Sequence, residues 1–368
     1  MKRLLRYVVA LGGALLLAVT MAPMSALASS DRHPARDILE FNSAFANVSP
    51  FIGAAGAIRG VNAAPFPWAI RSIDGDLDAN GQLDIDVDHL VLANDPAVPA
   101  NLRGTNPVPF FAAIVSCLTA SNGKVVMTNV TTGNFKATMP GGNAEIHQKL
   151  ALPRPCAAPV VFVTSPNGGV WFAATGSSTS RPNRDVLQFD TAFANVSPFI
   201  GAAGAISGVN AAPLPWAIRS IHGDLDSNGQ LNVDVDQLVL ANDPAVPANL
   251  RGTNPVPFFA AVVTCRTASN GAVVTTKVTS ANFRATMPGG DAEIHQKLAL
   301  PHPCVTPNVF ITSPSGGVWF AVTGRCRDRC GSRRMCWLPR YLLGSCRNRS
   351  EASPSPEVLR MSLTTGPP

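Results

Sequence analysis

The sequence predicts an all-β protein that consists of two tandem β-sandwich-like domains, each with about seven or eight strands. Short segments alternate between apolar and polar residues, which is the period of half-buried strands. Clusters of Gly, Pro, Asn and Asp separate these segments, and no segment has the pattern of a long helix. A large part of the chain also occurs twice. Two small β-barrels are the alternative architecture.

The duplication sets the expected domain boundaries. Residues 37–176 (copy 1) align without a gap on residues 185–324 (copy 2), and 112 of the 140 positions are identical. Each copy has the length of a single domain that can bury its own core, so we expect two domains. Residues 177–184 are short and polar, which indicates a linker.

The strongest local pattern is a hairpin over residues 70–92, repeated over residues 218–240. Ala79-Asn80-Gly81 suits a three-residue turn with a glycine bulge. This turn pairs Leu77 with Leu83 and places the apolar residues of both strands on one face. The opposite face then carries six aspartates in copy 1, which are Asp74, Asp76, Asp78, Asp84, Asp86 and Asp88.

The other strands of copy 1 are predicted from the same alternation. They are Phe110–Thr119, Val125–Thr131, Ala144–Leu152, Val160–Thr164 and Val170–Thr175. The weakest signals lie in residues 37–63. The first five residues could open a helix, but residues 47–50 and the Gly/Ala-rich residues 53–60 favour irregular or short extended structure. We expect Trp68, Trp171 and the pair Phe110-Phe111 to fill the core rather than to form a ligand platform.

Four cysteines are predicted to form one disulfide within each copy. Cys117 and Cys156 lie in copy 1, and Cys265 and Cys304 lie in copy 2. An even number of cysteines in each copy of an exported protein favours disulfides. A zinc site is disfavoured because neither pair has a C-x-x-C spacing.

The N-terminus has the pattern of a secretory signal. A basic start precedes an apolar run over residues 7–24 and the small-residue site Ala26-Leu27-Ala28. We expect removal of residues 1–28, secretion of the protein, and no membrane span after cleavage. The alternative is an uncleaved membrane anchor, which Gly12-Gly13 and Pro23 within the apolar run disfavour.

The formal net charge of +6 arises at the two ends of the chain. Three basic residues lie in the predicted signal, and residues 325–368 hold nine Arg against three acidic residues. Residues 29–324 are therefore net −3, so we expect no nucleic-acid binding. The tail from Arg325 is rich in Arg, Cys and Ser. We expect it to be disordered or out of frame, with a metal or redox knuckle as the remaining alternative.

The aspartates of the hairpin are candidate calcium ligands. Like charges directly opposite each other destabilise a strand pair, and a hard cation would relieve the repulsion. The candidate ligands are Asp74, Asp76, Asp78, Asp84 and Asp86 in copy 1, and Asp224, Asp226 and Asp234 in copy 2. The resemblance to an EF-hand loop ends at Val87, and copy 2 has His222 and Asn232 at two of the positions. The alternative is a solvated acidic face that keeps an edge strand from pairing. No other cofactor is expected.

Three segments of copy 1 resemble a secreted bacterial β-domain to which no function is attached. They are GTNPVPFFAAIVSC at residues 104–117, AEIHQKLALPRPC at residues 144–156 and VFVTSPNGGVWFAATG at residues 161–176. The resemblance implies export, and it implies no activity, ligand or site residue.

The sequence contains no G-x-S-x-G nucleophile motif, and His147 and His295 are each expected to stand alone on an outward face. The expected function is therefore a secreted, non-enzymatic binding, adhesion or surface module for an unknown extracellular ligand or surface. Tandem copies would raise its avidity. The alternatives are a calcium-binding domain and an extracellular polymer hydrolase that uses the acidic face of the hairpin.

Overall fold

The structure, a computed structural model, describes residues 37–177 and 185–325. The predicted signal peptide, most of the predicted linker and the tail beyond Arg325 lie outside these residues. The described chain is all-β, and its only helical elements are short 3-10 turns. Within the described ranges, no helix has the length and the apolar character needed to cross a membrane.

Copy 1 contains twelve strands, of which eight have at least five residues and correspond to the predicted number. They are β1 (Asp37–Phe41), β2 (Ala44–Ala46), β3 (Trp68–Ala69), β4 (Ser72–Asp78), β5 (Gln82–Asp88), β6 (Val91–Leu92), β7 (Phe110–Ser121), β8 (Lys124–Thr131), β9 (Phe135–Lys136), β10 (Ala144–Lys149), β11 (Cys156–Thr164) and β12 (Trp171–Ser177). The 3-10 turns of copy 1 are Gly53–Gly56 and Pro166–Gly168.

Copy 2 repeats the same order of strands. They are β13 (Asp185–Phe189), β14 (Ala192–Ala194), β15 (Trp216–Ala217), β16 (Ser220–Asp226), β17 (Gln230–Asp236), β18 (Val239–Leu240), β19 (Phe258–Ser269), β20 (Ala272–Thr279), β21 (Phe283–Arg284), β22 (Ala292–Lys297), β23 (Cys304–Thr312) and β24 (Trp319–Arg325). The 3-10 turns of copy 2 are Gly201–Gly204, Ala248–Leu250 and Pro314–Gly316.

Two large sheets pack face to face, which confirms the predicted β-sandwich class. The first sheet has eight strands in the order β10-β5-β4-β1-β13-β16-β17-β22. The second has twelve strands, with the long β7, β11, β19 and β23 near its middle. Leu77 and Ile85 of the first sheet and Phe111 and Val163 of the second lie in one buried apolar cluster between the layers.

The two copies share both sheets and belong to one compact unit. In the first sheet, β1 pairs with β13 through Glu40 and Gln188. In the second sheet, the end of β12 pairs with β23 of copy 2, and the end of β24 pairs with β11 of copy 1. The central apolar cluster contains residues of both copies. Independent folding of each copy stays a prediction.

The hairpin has the predicted register. Leu77 pairs with Leu83, and Asp76 pairs with Asp84 on the other face. Gly81 closes the turn with φ +87°, a conformation that favours glycine. Gly75 is required for packing, because a Cβ there would lie 2.5 Å from the buried ring of Phe41.

Of the two possibilities for residues 37–41, the structure has the short extended one: they form strand β1, in which Leu39 and Phe41 face the core while Glu40 faces solvent. Two expectations are wrong. The hairpin is not at an edge, since β10 and β1 pair with its two strands and the edges are β10 and β22. Phe110 is 43% exposed, whereas Phe111, Trp68 and Trp171 are buried as predicted.

Both predicted disulfides are present. Cys117 on β7 is bonded to Cys156 on β11, and Cys265 on β19 is bonded to Cys304 on β23. All four cysteines are buried. Each disulfide therefore links two neighbouring strands of the second sheet within the central apolar cluster.

Candidate functional site

The outer surface of the eight-stranded sheet, which we call the acidic face, carries fifteen of the 23 acidic residues in the chain on its strands. Alternation along each strand turns the apolar side chains to the core and leaves the carboxylates outside. Copy 1 contributes Asp37, Glu40, Asp74, Asp76, Asp78, Asp84, Asp86, Asp88 and Glu145. Copy 2 contributes Asp185, Asp224, Asp226, Asp234, Asp236 and Glu293.

Directly opposed residues form one row across all eight strands of this face. In strand order the row is His147, Asp84, Asp76, Glu40, Gln188, Asp224, Asn232 and His295. Opposed side chains on neighbouring strands are close enough to interact. The row is therefore continuous across the β1–β13 junction and contains residues of both copies.

In copy 1 the row contains three consecutive carboxylates. Asp76 lies between Asp84 and Glu40. Burial and then repulsion from the neighbouring Asp84 carboxylate together raise the pKa of Asp76 to about 6. The pKa of Glu40 is also raised, mainly by burial and secondly by repulsion from Asp37. Copy 1 therefore holds crowded negative charge at the centre of the sheet.

In copy 2, amide side chains replace two of the carboxylates of this row. Gln188 and Asn232 stand at the positions of Glu40 and Asp84. The Asn232 Nδ2 group donates a hydrogen bond to Asp224 Oδ2 at 3.1 Å. Asp224 thus has an amide partner where Asp76 has only carboxylate neighbours in the row.

The histidines at the two ends of the row are not isolated, which corrects the expectation for both. His147 Nδ1 lies 2.8 Å from Asp84 Oδ1, and this hydrogen bond raises the pKa of His147. His295 Nδ1 lies 3.2 Å from Asn232 Oδ1. In the described part of the chain, no Ser, Thr or Cys side chain is hydrogen-bonded to His147. The His–Asp pair therefore lacks the nucleophile of a hydrolytic triad.

Two matched grooves lie on the acidic face, one in each copy. The groove of copy 1 has a volume of about 630 Å³ and that of copy 2 about 730 Å³. Asp86, Asp88 and Glu145 line the first, and their counterparts in copy 2 line the second. Lys136 in copy 1 and Arg284 in copy 2 supply a basic side chain at the matched position of each groove.

The candidate calcium ligands lie together on this face, but they do not converge. Among the residues that the structure describes, no three His, Cys, Asp or Glu side chains are placed to bind one metal ion. Asp78 is engaged in the turn, where its Oδ1 accepts hydrogen bonds from the backbone N–H groups of Asn80 and Gln82. Asp226 accepts the equivalent bonds in copy 2. Calcium binding stays a prediction without a convergent site to support it.

The alternation of the hairpin predicts six aspartates on one face but does not reveal the other acidic residues of that face. Glu40 and Asp37 were missed because a register shift between Asp37 and Leu39 breaks the alternation that would have marked β1 as a strand. The sequence predicts an outward face for Glu145, but the pairing of Glu145 with Asp86 depends on β10 lying beside β5.

Comparisons with protein-family models, with curated proteins and with solved structures found no match to this chain. The resemblance to a secreted bacterial β-domain therefore stays a prediction.

Proposed function

We propose that this protein is a secreted, non-enzymatic binding module whose acidic face holds an extended polypeptide segment rich in Lys or Arg. The observation that carries the proposal is the concentration of fifteen carboxylates on one open face that runs across both copies. Opposite potentials on two surfaces accelerate association and set specificity. A polycationic segment is the partner whose charge complements this face.

The dimensions of the face suit an extended chain. Eight strands spaced by about 4.8 Å span roughly 34 Å, which is the length of about ten extended residues. The acidic groove of each copy lies on this surface at an equivalent position. One partner could therefore contact both grooves, and simultaneous contacts raise the effective affinity without any new type of interaction.

The hydrolase alternative receives less support from the same residues. Catalytic carboxylates work in enclosed clefts that separate their pKa values, whereas the Asp74–Asp86 pair has both side chains exposed. His147 has a carboxylate partner but no hydroxyl or thiol partner within the described ranges.

A titration with a fluorescent lysine decamer tests the proposal. We expect binding by the full secreted chain at about 20 mM salt and loss of most of the affinity at about 500 mM salt, because exposed charges are screened. The double variant Asp74→Asn with Asp86→Asn removes an opposed pair from the groove of copy 1. It should weaken binding several-fold.

The control makes the same change of charge away from the acidic face, with Asp95→Asn and Asp243→Asn. Both residues lie in loops, where each carboxylate accepts a backbone hydrogen bond that an Asn side chain can also accept. This variant should bind as the parent does. The titration is then repeated with a chain that ends at Arg325. This chain lacks the Arg-rich tail, which would itself compete for an acidic surface. Equal affinities of the two double variants, or binding that is insensitive to salt, would contradict the proposal.

A further inference from the structure

A small polar cavity of about 210 Å³ lies where the two copies meet on the second sheet, remote from the residues of the acidic face. Copy 1 contributes Arg59, and copy 2 contributes Arg266 together with several hydroxyl and amide side chains. The polar residues from copy 2 include Ser207, Thr264, Thr306 and Asn308. The cavity is smaller than the usual site for a nucleotide or a sugar, so it suits a small ligand.

Two guanidinium groups line this cavity without a carboxylate partner. Arg59 Nη1 donates to the backbone carbonyl of Ser116 at 3.2 Å, and Arg266 Nη1 donates to Thr275 Oγ1 at 2.9 Å. In residues 37–177 and 185–325, neither arginine forms an ion pair. Burial lowers the pKa of Arg59 to about 10, so this side chain still carries its charge at neutral pH. Two partly buried like charges therefore lack a counter-charge, which is unfavourable.

Three further polar atoms around the cavity are buried and have no hydrogen-bond partner among the described protein atoms. They are Thr264 Oγ1, Arg266 Nε and Asn308 Oδ1. Thr264 is 1% exposed and Asn308 is 3% exposed. Buried polar groups normally have partners, and an unpaired one costs free energy. A ligand that accepts hydrogen bonds from Thr264 Oγ1 and Arg266 Nε and donates one to Asn308 Oδ1 would satisfy all three atoms.

The cavity has diverged between the copies more than the rest of the chain. Seven residues of copy 2 line it, and six of them differ from their counterparts in copy 1, against 28 differences in 140 positions overall. Arg266, Thr275, Thr306 and Asn308 replace apolar residues. Their counterparts in copy 1 are Leu118, Met127, Ala158 and Val160. The polar lining is thus specific to one side of the junction. At the matched place on the other side, Leu118 packs on apolar residues.

We propose that this cavity is a binding site for a small oxyanion, with Arg59 and Arg266 as its charged ligands. Guanidinium groups bind oxyanions through paired, charge-assisted hydrogen bonds. Arg266 Nε and the Thr264 hydroxyl supply additional donors. The Asn308 Oδ1 atom accepts a hydrogen bond, which matches the hydroxyl of a monoprotonated phosphate. Phosphate is therefore expected to bind more tightly than sulfate or acetate.

Thermal unfolding of the full chain tests the site. Phosphate, sulfate and acetate at about 10 mM are compared with chloride at the same ionic strength, since a ligand of the folded state raises the unfolding midpoint. We expect phosphate to raise the midpoint by about 2–5 °C over chloride. Arg266→Leu introduces the residue that copy 1 carries at this position, and it should abolish the rise.

Arg59→Ser, which introduces the residue of copy 2, provides an independent test if Arg266→Leu fails to fold. It should also reduce the rise produced by phosphate. The matched control is Arg154→His, an exposed arginine replaced by its counterpart in copy 2, and it should retain the full rise. A midpoint in phosphate equal to that in chloride, or a full rise in both cavity variants, would overturn the proposal.

Discussion

Replacement of Asp76 by Asn should stabilise the protein at neutral and alkaline pH. The side chain lies between Asp84 and Glu40 in the row of opposed residues, and its pKa is raised from 3.8 to about 6 by burial and then by Asp84. Asparagine has nearly the same shape and no charge. The substitution therefore removes the repulsion and part of the desolvation cost without creating a cavity.

The magnitude follows from the displaced pKa. Each tenfold change in proton affinity corresponds to about 1.4 kcal/mol, so a rise from 3.8 to about 6 would correspond to about 3 kcal/mol for a fully shielded group. Asp76 is only half-buried, and solvent screening reduces the expected gain to about 1 kcal/mol. In a unit of about 280 residues, that gain raises the unfolding midpoint by about 2 °C.

The sign depends on pH. A carboxyl group whose pKa is raised by folding binds its proton more tightly in the folded state, so the stability that it contributes is fully present below about pH 4 and is lost as the pH rises through about 6. The advantage of Asp76→Asn should therefore be small at about pH 4 and reach its full size above about pH 7. Thermal unfolding of both proteins across this pH range measures it.

Asp224→Asn is the matched control, because Asp224 is the counterpart of Asp76 in copy 2. It lies between Gln188 and Asn232 and accepts a hydrogen bond from Asn232. This variant should gain no stability at any pH. Equal effects of the two substitutions, or an Asp76→Asn gain that does not change between acid and neutral pH, would contradict this assignment of the repulsion to Asp76.

Four other outcomes are expected. Gly75→Ala should cost about 1–3 kcal/mol in denaturant unfolding through overpacking of the adjacent ring, whereas Gly133→Ala, which introduces the residue of copy 2, should be nearly neutral. Joint replacement of Cys117 and Cys156 by Ala should lower the free energy of unfolding by roughly 4 kcal/mol, measured in the same way. A chain that ends at Arg325 should keep its unfolding midpoint, whereas one that also lacks the last two residues of β24 should lose part of it, because those residues pair with β11. Equal midpoints in calcium, magnesium and EDTA are expected from the absence of a convergent metal site in the described chain, and a rise specific to calcium would contradict that reasoning.

Local sequence patterns predict part of the acidic face. The alternation and the three-residue turn predicted the pairing of Leu77 with Leu83 and the common face of six aspartates. That prediction needed only residues close in sequence, because a shift of register by one residue would bury the carboxylates. The raised pKa of Asp76 was not predictable, since it arises first from burial in the folded sheet and in part from Asp37 and Glu40 on β1, a strand about 35 residues away in sequence.

The strand alternation and the turn follow from spacing within one copy. The disulfide pairs follow from the even number of cysteines in each copy, and the duplication follows from the alignment of the two copies. How the copies join depends on the tertiary structure. The two copies are nearly identical, so β11 meets two equivalent partners in β12 and β24, and the local pattern does not choose between them. The choice depends on the burial of a common core and on the closure of long loops. It also brings Arg59 of one copy to Arg266 of the other, although 206 residues of chain lie between them.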